Sequence, residues 1–259
     1  VAVSADEVAP VLLVRILNMP HKTDGTLEFD GVDDYVSFGT DKNFDYPNFT
    51  IELWTKADSQ IQTHVKNLIG KGNWNYANNW YLGYKSGTHL SFVYGVIWGD
   101  GPSYPMSEFD LTKWHHIAGV ATPDELKLYL DGNLVATKVT SHGSVSNTYD
   151  LQIARSSYYR NYYDGLITEV RIWNVARTQA EIQADMNRTL TGSEPGLVAY
   201  YSKVVPPTGN ILPDSSINNN DGTIYGAKWH PIMESLYLTD YQEKGVATID
   251  FFDENWNPC

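Results

Sequence analysis

Two segments of the 259-residue chain alternate apolar and polar residues, and each carries an Asp-Gly pair at its start or its break. One is Leu27–Phe38, interrupted at Asp30-Gly31, and the other is Asp164–Asn174, which begins with Asp-Gly. Alternation with a period of two places successive side chains on opposite faces of a strand, and Asp-Gly is a preferred turn pair. Both segments are therefore predicted to be strands of one β-sandwich whose acidic turns lie close enough to share a cation.

The composition favours short strands and tight turns over helical bundles. Eighteen tyrosines, eight tryptophans and 20 glycines occur beside only four methionines, and aromatic residues are enriched in strands whereas glycine is enriched in turns. The formal net charge of −13 at pH 7 argues against nucleic acid as a partner, because binding phosphates needs clustered lysine and arginine. No apolar run approaches the roughly 18 residues of a membrane span, so no membrane span is predicted.

Local patterns place further elements along the chain. Phe49–Thr55 alternates with period two and is predicted to be a strand. In Glu125–Ala136, Asp131-Gly132 separates two apolar runs, which predicts a β-hairpin with a type I′ turn. Thr178–Glu181 has the spacing of a capping box ahead of apolar residues at four-residue steps, which predicts one short helix that plugs an open end of the core.

Six separated motifs follow one another along the chain, namely Phe29–Val36, Phe49–Trp54, Trp114–Ile117, Leu128–Asn133, Asp164–Trp173 and Asp221–Trp229. Together they resemble the laminin-G-like modules of the concanavalin A-like superfamily. The resemblance implies an all-β fold, a jelly-roll sandwich of two antiparallel sheets, over residues 25–229. Residues 1–24 and 230–259 lie outside it and are predicted to be an N-terminal and a C-terminal extension, each with strand character.

Acidic residues crowd the first Asp-Gly turn. Asp30, Asp33 and Asp34 would offer the hard oxygens that calcium prefers, and the alternative is that these aspartates only stabilise turns. The resemblance implies that the Asp164 carboxylate and the backbone around Asp30 and Gly31 share one structural calcium ion. Calcium is therefore the expected cofactor, with Asp30, Gly31, Asp34 and Asp164 as its site.

Two loops mix aromatic rings with amides and arginines, and Trp98 lies in a third loop. Rings stack on the apolar faces of sugars while amides and guanidinium groups bond to hydroxyls, so this mixture suits a glycan. The alternative is packing or a protein contact, since interfaces also favour tyrosine, tryptophan and arginine. The predicted ligand-binding residues are Trp74, Tyr76, Asn78, Trp80, Trp98, Arg155, Tyr158, Tyr159, Arg160 and Tyr162.

No catalytic machinery is predicted. Glycoside hydrolysis needs two carboxylates about 5 to 9.5 Å apart, and the pairs Glu28/Asp30 and Glu108/Asp110 do not extend into the Glu-x-Asp-x-x-Glu pattern of hydrolases with this fold. His115 and His116 are neighbours on a predicted strand, so they point to opposite faces and would not grip one metal ion. A glycoside hydrolase or lyase is the least favoured interpretation.

The sequence as a whole predicts a secreted or surface-displayed, lectin-like binding module that holds calcium and recognises a glycan. The alternative is a structural or adhesive subunit whose terminal extensions dock onto other protein chains. The only cysteine is Cys259, so no disulfide forms within the chain, and this thiol is either free or linked to another molecule.

Overall fold

The computed structural model describes residues 25–40, 44–60, 64–72, 79–85, 87–95, 101–140, 147–155 and 161–231. Over this part of the chain the protein is an all-β sandwich of two antiparallel sheets with one short α-helix. The predicted fold class is confirmed. Among these residues no helix is long and apolar enough to cross a membrane. The predicted strand segments of the two terminal extensions lie outside the described residues.

The strands number 16 in the described ranges, and two sheets of eight share them. Sheet A runs in the order β10-β9-β8-β3-β12-β1-β16, and β13 also pairs with β12. Its strands are β1 (Thr26–Asp30), β3 (Phe49–Ala57), β8 (His115–Thr122), β9 (Glu125–Leu130), β10 (Asn133–Val139), β12 (Asp164–Trp173), β13 (Leu197–Tyr201) and β16 (Lys228–His230). Every pairing in this sheet is antiparallel.

Sheet B runs in the order β14-β15-β2-β11-β4-β5-β6-β7. Its strands are β2 (Tyr35–Ser37), β4 (Lys66–Lys71), β5 (Trp80–Lys85), β6 (His89–Tyr94), β7 (Ser103–Pro105), β11 (Leu151–Ile153), β14 (Ile211–Leu212) and β15 (Gly222–Tyr225). A 3-10 turn, Met106–Glu108, follows β7. Strands β4, β5 and β6 are consecutive antiparallel neighbours and form a meander.

The two segments with Asp-Gly pairs, Leu27–Phe38 and Asp164–Asn174, lie beside each other, as the sequence predicts. β1 and β12 are antiparallel neighbours, and their register pairs Asp30 with Asp164. The turn after Asp30 does not make a hairpin, because β1 belongs to sheet A and β2 to sheet B. This acidic turn therefore carries the chain from one sheet of the sandwich to the other.

The predicted hairpin turn is confirmed in detail. Asp131 and Gly132 have φ angles of 49° and 73°, and these left-handed values at both central positions are those of a type I′ turn, which Asp-Gly adopts readily. The Asp131 carboxylate also accepts the backbone N–H of His116 at 2.9 Å. The turn therefore fixes β9 and β10 to the start of β8.

The helix α1 (Gln179–Asp185) begins at the predicted capping box, since Thr178 and Glu181 make both reciprocal bonds. Its predicted place at an open end of the core is wrong. Ile182 instead packs on Ala118, Val120 and Tyr129, a cluster separate from the main core. Strand side chains alternate between faces, so this cluster lies on the outer face of sheet A, which needs cover because its residues there are apolar.

Candidate functional site

Seven of the predicted ligand-binding residues lie outside the described residues. They are Trp74, Tyr76, Asn78, Trp98, Tyr158, Tyr159 and Arg160. Trp80, Arg155 and Tyr162 are described, and the structure separates Trp80 from the other two. Arg155 and Tyr162 face each other across an antiparallel β-bridge.

Trp80 belongs to the hydrophobic core. It is 1% exposed, and its ring centroid lies 4.8 Å from that of Phe49 on the opposite sheet. The prediction that Trp80 forms one wall of a ligand surface is therefore wrong. Its position on β5 explains the error, because Trp80 shares an inward-facing row with Leu82 and Tyr84, which are also in the core.

Arg155 and Tyr162 instead join two tyrosines that the sequence did not single out, Tyr35 and Tyr225. The four residues form what we call the Tyr35 cluster. The Tyr35 and Tyr225 rings are stacked, with centroids 4.5 Å apart and planes at 6°. The Arg155 guanidinium carbon lies 4.6 Å from the centre of the Tyr35 ring and 5.7 Å from that of Tyr162. Tyr225 is 45% exposed, so the cluster reaches the solvent.

Strand register explains why these residues meet. Tyr35 on β2 is the direct partner of Tyr225 on β15, and residues opposite each other on one face of a sheet lie within contact distance. Val36, the next residue on β2, is fully buried in the core, so alternation turns Tyr35 to the outer face. That alternation was a signal in the sequence for Tyr35, whereas nothing local pointed to its pairing with Tyr225.

The acidic turn between β1 and β2 is tightly organised. Ligand oxygens from Asp30, Asp33 and Asp34 all lie within 4.8 Å of one another. Asp30 Oδ1 accepts the backbone N–H of Val32 at 2.8 Å, and Asp34 Oδ2 accepts that of Asp30 at 3.0 Å. These bonds hold the turn and leave other carboxylate oxygens available, since each carboxylate has about four acceptor positions.

Asp164 borders this turn on the other side of Gly31. A Cβ atom on Gly31 would lie 2.9 Å from the Cβ of Asp164, so only glycine lets the turn backbone approach the aspartate this closely. Gly31 also has a φ of 74°, a left-handed value that favours glycine. The four residues predicted to hold calcium are thus brought to one edge of the sandwich.

Burial and neighbouring negative charges raise the pKa of two of these carboxyl groups. For Asp34, burial is the largest cause, and the charges of Asp30 and Asp33 add to it. For Asp164, burial again comes first, followed by the charge of Asp58. Carboxylates held together against their mutual repulsion are stabilised by a cation, so this edge has the donor chemistry of a calcium site.

The acidic turn and the Tyr35 cluster are neighbours in space. Asp34 immediately precedes Tyr35, and Gly226 immediately follows Tyr225. A Cβ on Gly226 would lie only 1.8 Å from Asp34 Oδ1, so the backbone after Tyr225 rests against the Asp34 carboxylate. On the other side, Lys66 Nζ donates to the carbonyl of Tyr162 at 2.5 Å, and its charge acts on Asp164.

The two carboxylate pairs considered for hydrolysis make ordinary structural contacts. Glu28 is bonded to His230 at 2.9 Å, and Asp110 accepts the backbone N–H and hydroxyl of Thr112 at 3.0 and 2.6 Å. The two neighbouring histidines point to opposite faces, as predicted. His115 contacts Asp131 at 2.8 Å, whereas His116 lies 3.4 Å from the buried Glu52.

Solved structures resemble this fold at low sequence identity. A proposed carbohydrate-binding protein from Bacteroides ovatus aligns with a TM-score of 0.63 and 19% identity, over 80% of this chain and 59% of that one. The chain thus spans less than two thirds of that protein's length. A heptameric SAP-like pentraxin from Limulus polyphemus aligns with a TM-score of 0.48 and 17% identity, over 63% of this chain and 81% of that chain.

Domains LG4-5 of the mouse laminin alpha1 chain align with a TM-score of 0.44 and 14% identity, over 57% of this chain and 40% of that chain. No curated protein matches the sequence at a significant level. A family model for laminin-G-like members of the concanavalin A-like lectin/glucanases superfamily matches residues 30–183, more than half of the chain. The chain therefore belongs to the concanavalin A-like lectin/glucanases superfamily, as its strand motifs had indicated.

Proposed function

We propose that this chain is a non-catalytic carbohydrate-binding module that uses calcium. The observation that carries the proposal is the Tyr35 cluster, a partly exposed group of three tyrosine rings and one arginine at the edge of the acidic turn. The fold shared with the proposed carbohydrate-binding protein from Bacteroides ovatus supports it. Secretion or surface display would bring such a module to extracellular glycans.

The cluster has the two kinds of contact that sugars require. A tyrosine ring offers an apolar face to the C–H groups of a sugar, and a guanidinium donates to hydroxyl or carboxylate oxygens. The outward part of Tyr225 is available for stacking because this residue is 45% exposed. Tyr35 is less exposed and acts as the support behind it, since the two rings are stacked 4.5 Å apart.

Calcium fits the adjacent edge by its donors. Asp30, Asp34 and Asp164 would supply carboxylate oxygens, and the backbone at Gly31 runs directly beside Asp164, since a Cβ on Gly31 would lie 2.9 Å from the Cβ of Asp164. Bound calcium would offset the repulsion between these carboxylates and fix the turn that carries Tyr35. Its role in the proposal is therefore to order the binding edge.

A glycan array tests the proposal, run once with calcium and once with chelator. We expect retention of at least one glycan family by the native chain and loss of that signal in Tyr225→Ala. Tyr149→Ala is the matched control, because Tyr149 is 38% exposed and is not part of the cluster. Retention of no glycan in either condition would refute carbohydrate binding.

Calcium is tested separately by a thermal melt. Binding to the native state alone must raise the midpoint with the logarithm of calcium excess. A midpoint that does not move between chelator and millimolar calcium would refute a calcium site in the native chain.

The absence of catalysis remains part of the proposal. Its support is that Glu28 and Asp110, one member of each carboxylate pair considered for hydrolysis, are engaged in local contacts. Release of reducing sugar from any glycan that the array retains would overturn it. The alternative of an adhesive subunit depends on the terminal extensions, which lie outside the described residues, and it remains a prediction of the sequence.

A further inference from the structure

The guanidinium of Arg155 makes no hydrogen bond and no ion pair with the described residues. Its Nε atom is buried without a hydrogen-bond partner, and the guanidinium lies over the rings of Tyr35 and Tyr162. A buried donor without a partner is costly, and such groups in native proteins call for an explanation. Because the Arg155 cation lies over rings and has no paired anion among the described residues, it is suited to pair with an anionic group of a ligand.

The carboxylate of Asp150 is already occupied. It accepts the hydroxyl of Ser37 at 2.7 Å, the backbone N–H of Phe38 at 3.1 Å and the amide of Gln152 at 2.9 Å. Asp150 is close enough for its charge to act on Tyr35. With these donors it is satisfied without Arg155, so the guanidinium keeps its capacity for a ligand.

The overall charge makes such a cation selective. The chain carries a formal charge of −13, so a polyanion is repelled by most of its surface and gains nothing from bulk electrostatics. An acidic ligand would bind only where a local, directed partner exists. An arginine fork pairs with a carboxylate through two parallel hydrogen bonds, which lysine does not reproduce.

We infer that the Tyr35 cluster recognises an acidic saccharide, with Arg155 pairing to the sugar carboxylate while the exposed Tyr225 ring stacks on a sugar face. This inference rests on the proposed carbohydrate-binding function and specifies its ligand class. Tyr35 links the two contacts. One face of its ring is stacked on Tyr225, so the guanidinium lies over the other. The sugar carboxylate and the stacked sugar face would thus bind at opposite ends of the column formed by Arg155, Tyr35 and Tyr225. This separation favours an oligosaccharide over a single sugar.

The test compares oligosaccharides that differ only in charge. Oligomers containing galacturonic, glucuronic or sialic acid are measured by calorimetry in calcium against their methyl esters, which keep the sugar and remove the negative charge. We expect at least one acid to bind at least tenfold more tightly than its ester. Arg155→Gln should remove this preference, Arg155→Lys should retain only part of it, and Lys113→Gln, which removes one exposed positive charge elsewhere, should keep it.

Each remaining outcome counts against the inference. Equal affinity for acid and ester, or an acid preference that survives in Arg155→Gln, would overturn it and leave the carbohydrate-binding function standing. Binding of neutral glycans alone on the array would do the same. If neither acidic nor neutral glycans bind, the proposed function itself fails. A thermal melt of each variant shows that lost binding does not reflect unfolding.

Discussion

The buried carboxylate of Glu52 on β3 yields the sharpest test of how sheet A is held to the segment that covers it. Glu52 is fully buried. Its Oε1 accepts the indole N–H of Trp173 at 3.0 Å and a guanidinium N–H of Arg177 at 3.4 Å. A nitrogen of Arg171 lies 3.7 Å from the same oxygen. One fully buried acid thus lies beside two arginines, each of which has a second acidic partner.

Glu52→Gln keeps the size and the acceptor for Trp173 but removes the charge. Removing one partner of a buried ion pair costs about 3–5 kcal/mol, because the remaining charge stays buried without compensation. Arg171 retains Glu169 at 2.8 Å and Arg177 retains Asp185, so we expect the lower end, about 3 kcal/mol. For a domain of this size that is a fall in Tm of about 6–12 °C.

The matched control is Glu125→Gln. Glu125 pairs with Lys127 at 2.6 Å, a shorter distance than any contact of Glu52, yet both side chains are about one third exposed. Exposed pairs contribute about 0–1 kcal/mol, so this variant should lose little. Urea and thermal unfolding measure both changes. If Glu52→Gln costs no more than Glu125→Gln, burial does not decide the strength of these ion pairs and the reasoning is wrong.

Three further predictions concern Glu52, Asp164 and the cap of the helix. Burial raises the pKa of Glu52, but the nearby His116, Arg171 and Arg177 outweigh burial and hold this pKa below its usual range. The contribution of Glu52 to stability should therefore be fully present above the ordinary glutamate pKa and be lost as the pH falls through the lowered native pKa. Unfolding free energies measured over a series of acidic pH values test this expectation. Burial and the charge of Asp58 raise the pKa of Asp164, so Asp164→Asn should raise the Tm in chelator while reducing the calcium-dependent increase; an unchanged calcium response would place the ion elsewhere. Thr178→Ala should cost about 1 kcal/mol by removing the capping box, and an unchanged urea midpoint would contradict the cap.

Local sequence patterns predicted several strands, the hairpin turn and the start of the helix. Alternation predicted β1, β3 and β12, Asp-Gly at Asp131 predicted the type I′ hairpin, and the spacing from Thr178 to Glu181 predicted the start of the helix. These features depend on residues within a few positions of one another, so the chain itself specifies them. The acidic turn was predictable for the same reason, since Asp30, Asp33 and Asp34 lie within five residues.

Which face of each strand is buried was decided by tertiary structure. Alternation tells that Glu52 and Ile51 point in opposite directions, but both are fully buried because α1 and its flanking loops cover the outer face of sheet A. For the same reason the sequence wrongly predicted Trp80 to bind a ligand. Its neighbours in sequence are aromatic and amide-rich, as in a ligand-binding loop, but its strand points the side chain into the core.

The candidate site is determined partly by the sequence and partly by the register of the sheets. The sequence alone specifies the sandwich, the acidic turn and the choice of Arg155 and Tyr162. Only the fold brings Tyr35 to Tyr225, because β2 and β15 come from opposite ends of the domain and their pairing depends on how the whole sheet assembles. Hydrogen bonds between distant strands set that register, and no local pattern encodes which two tyrosines will then stack.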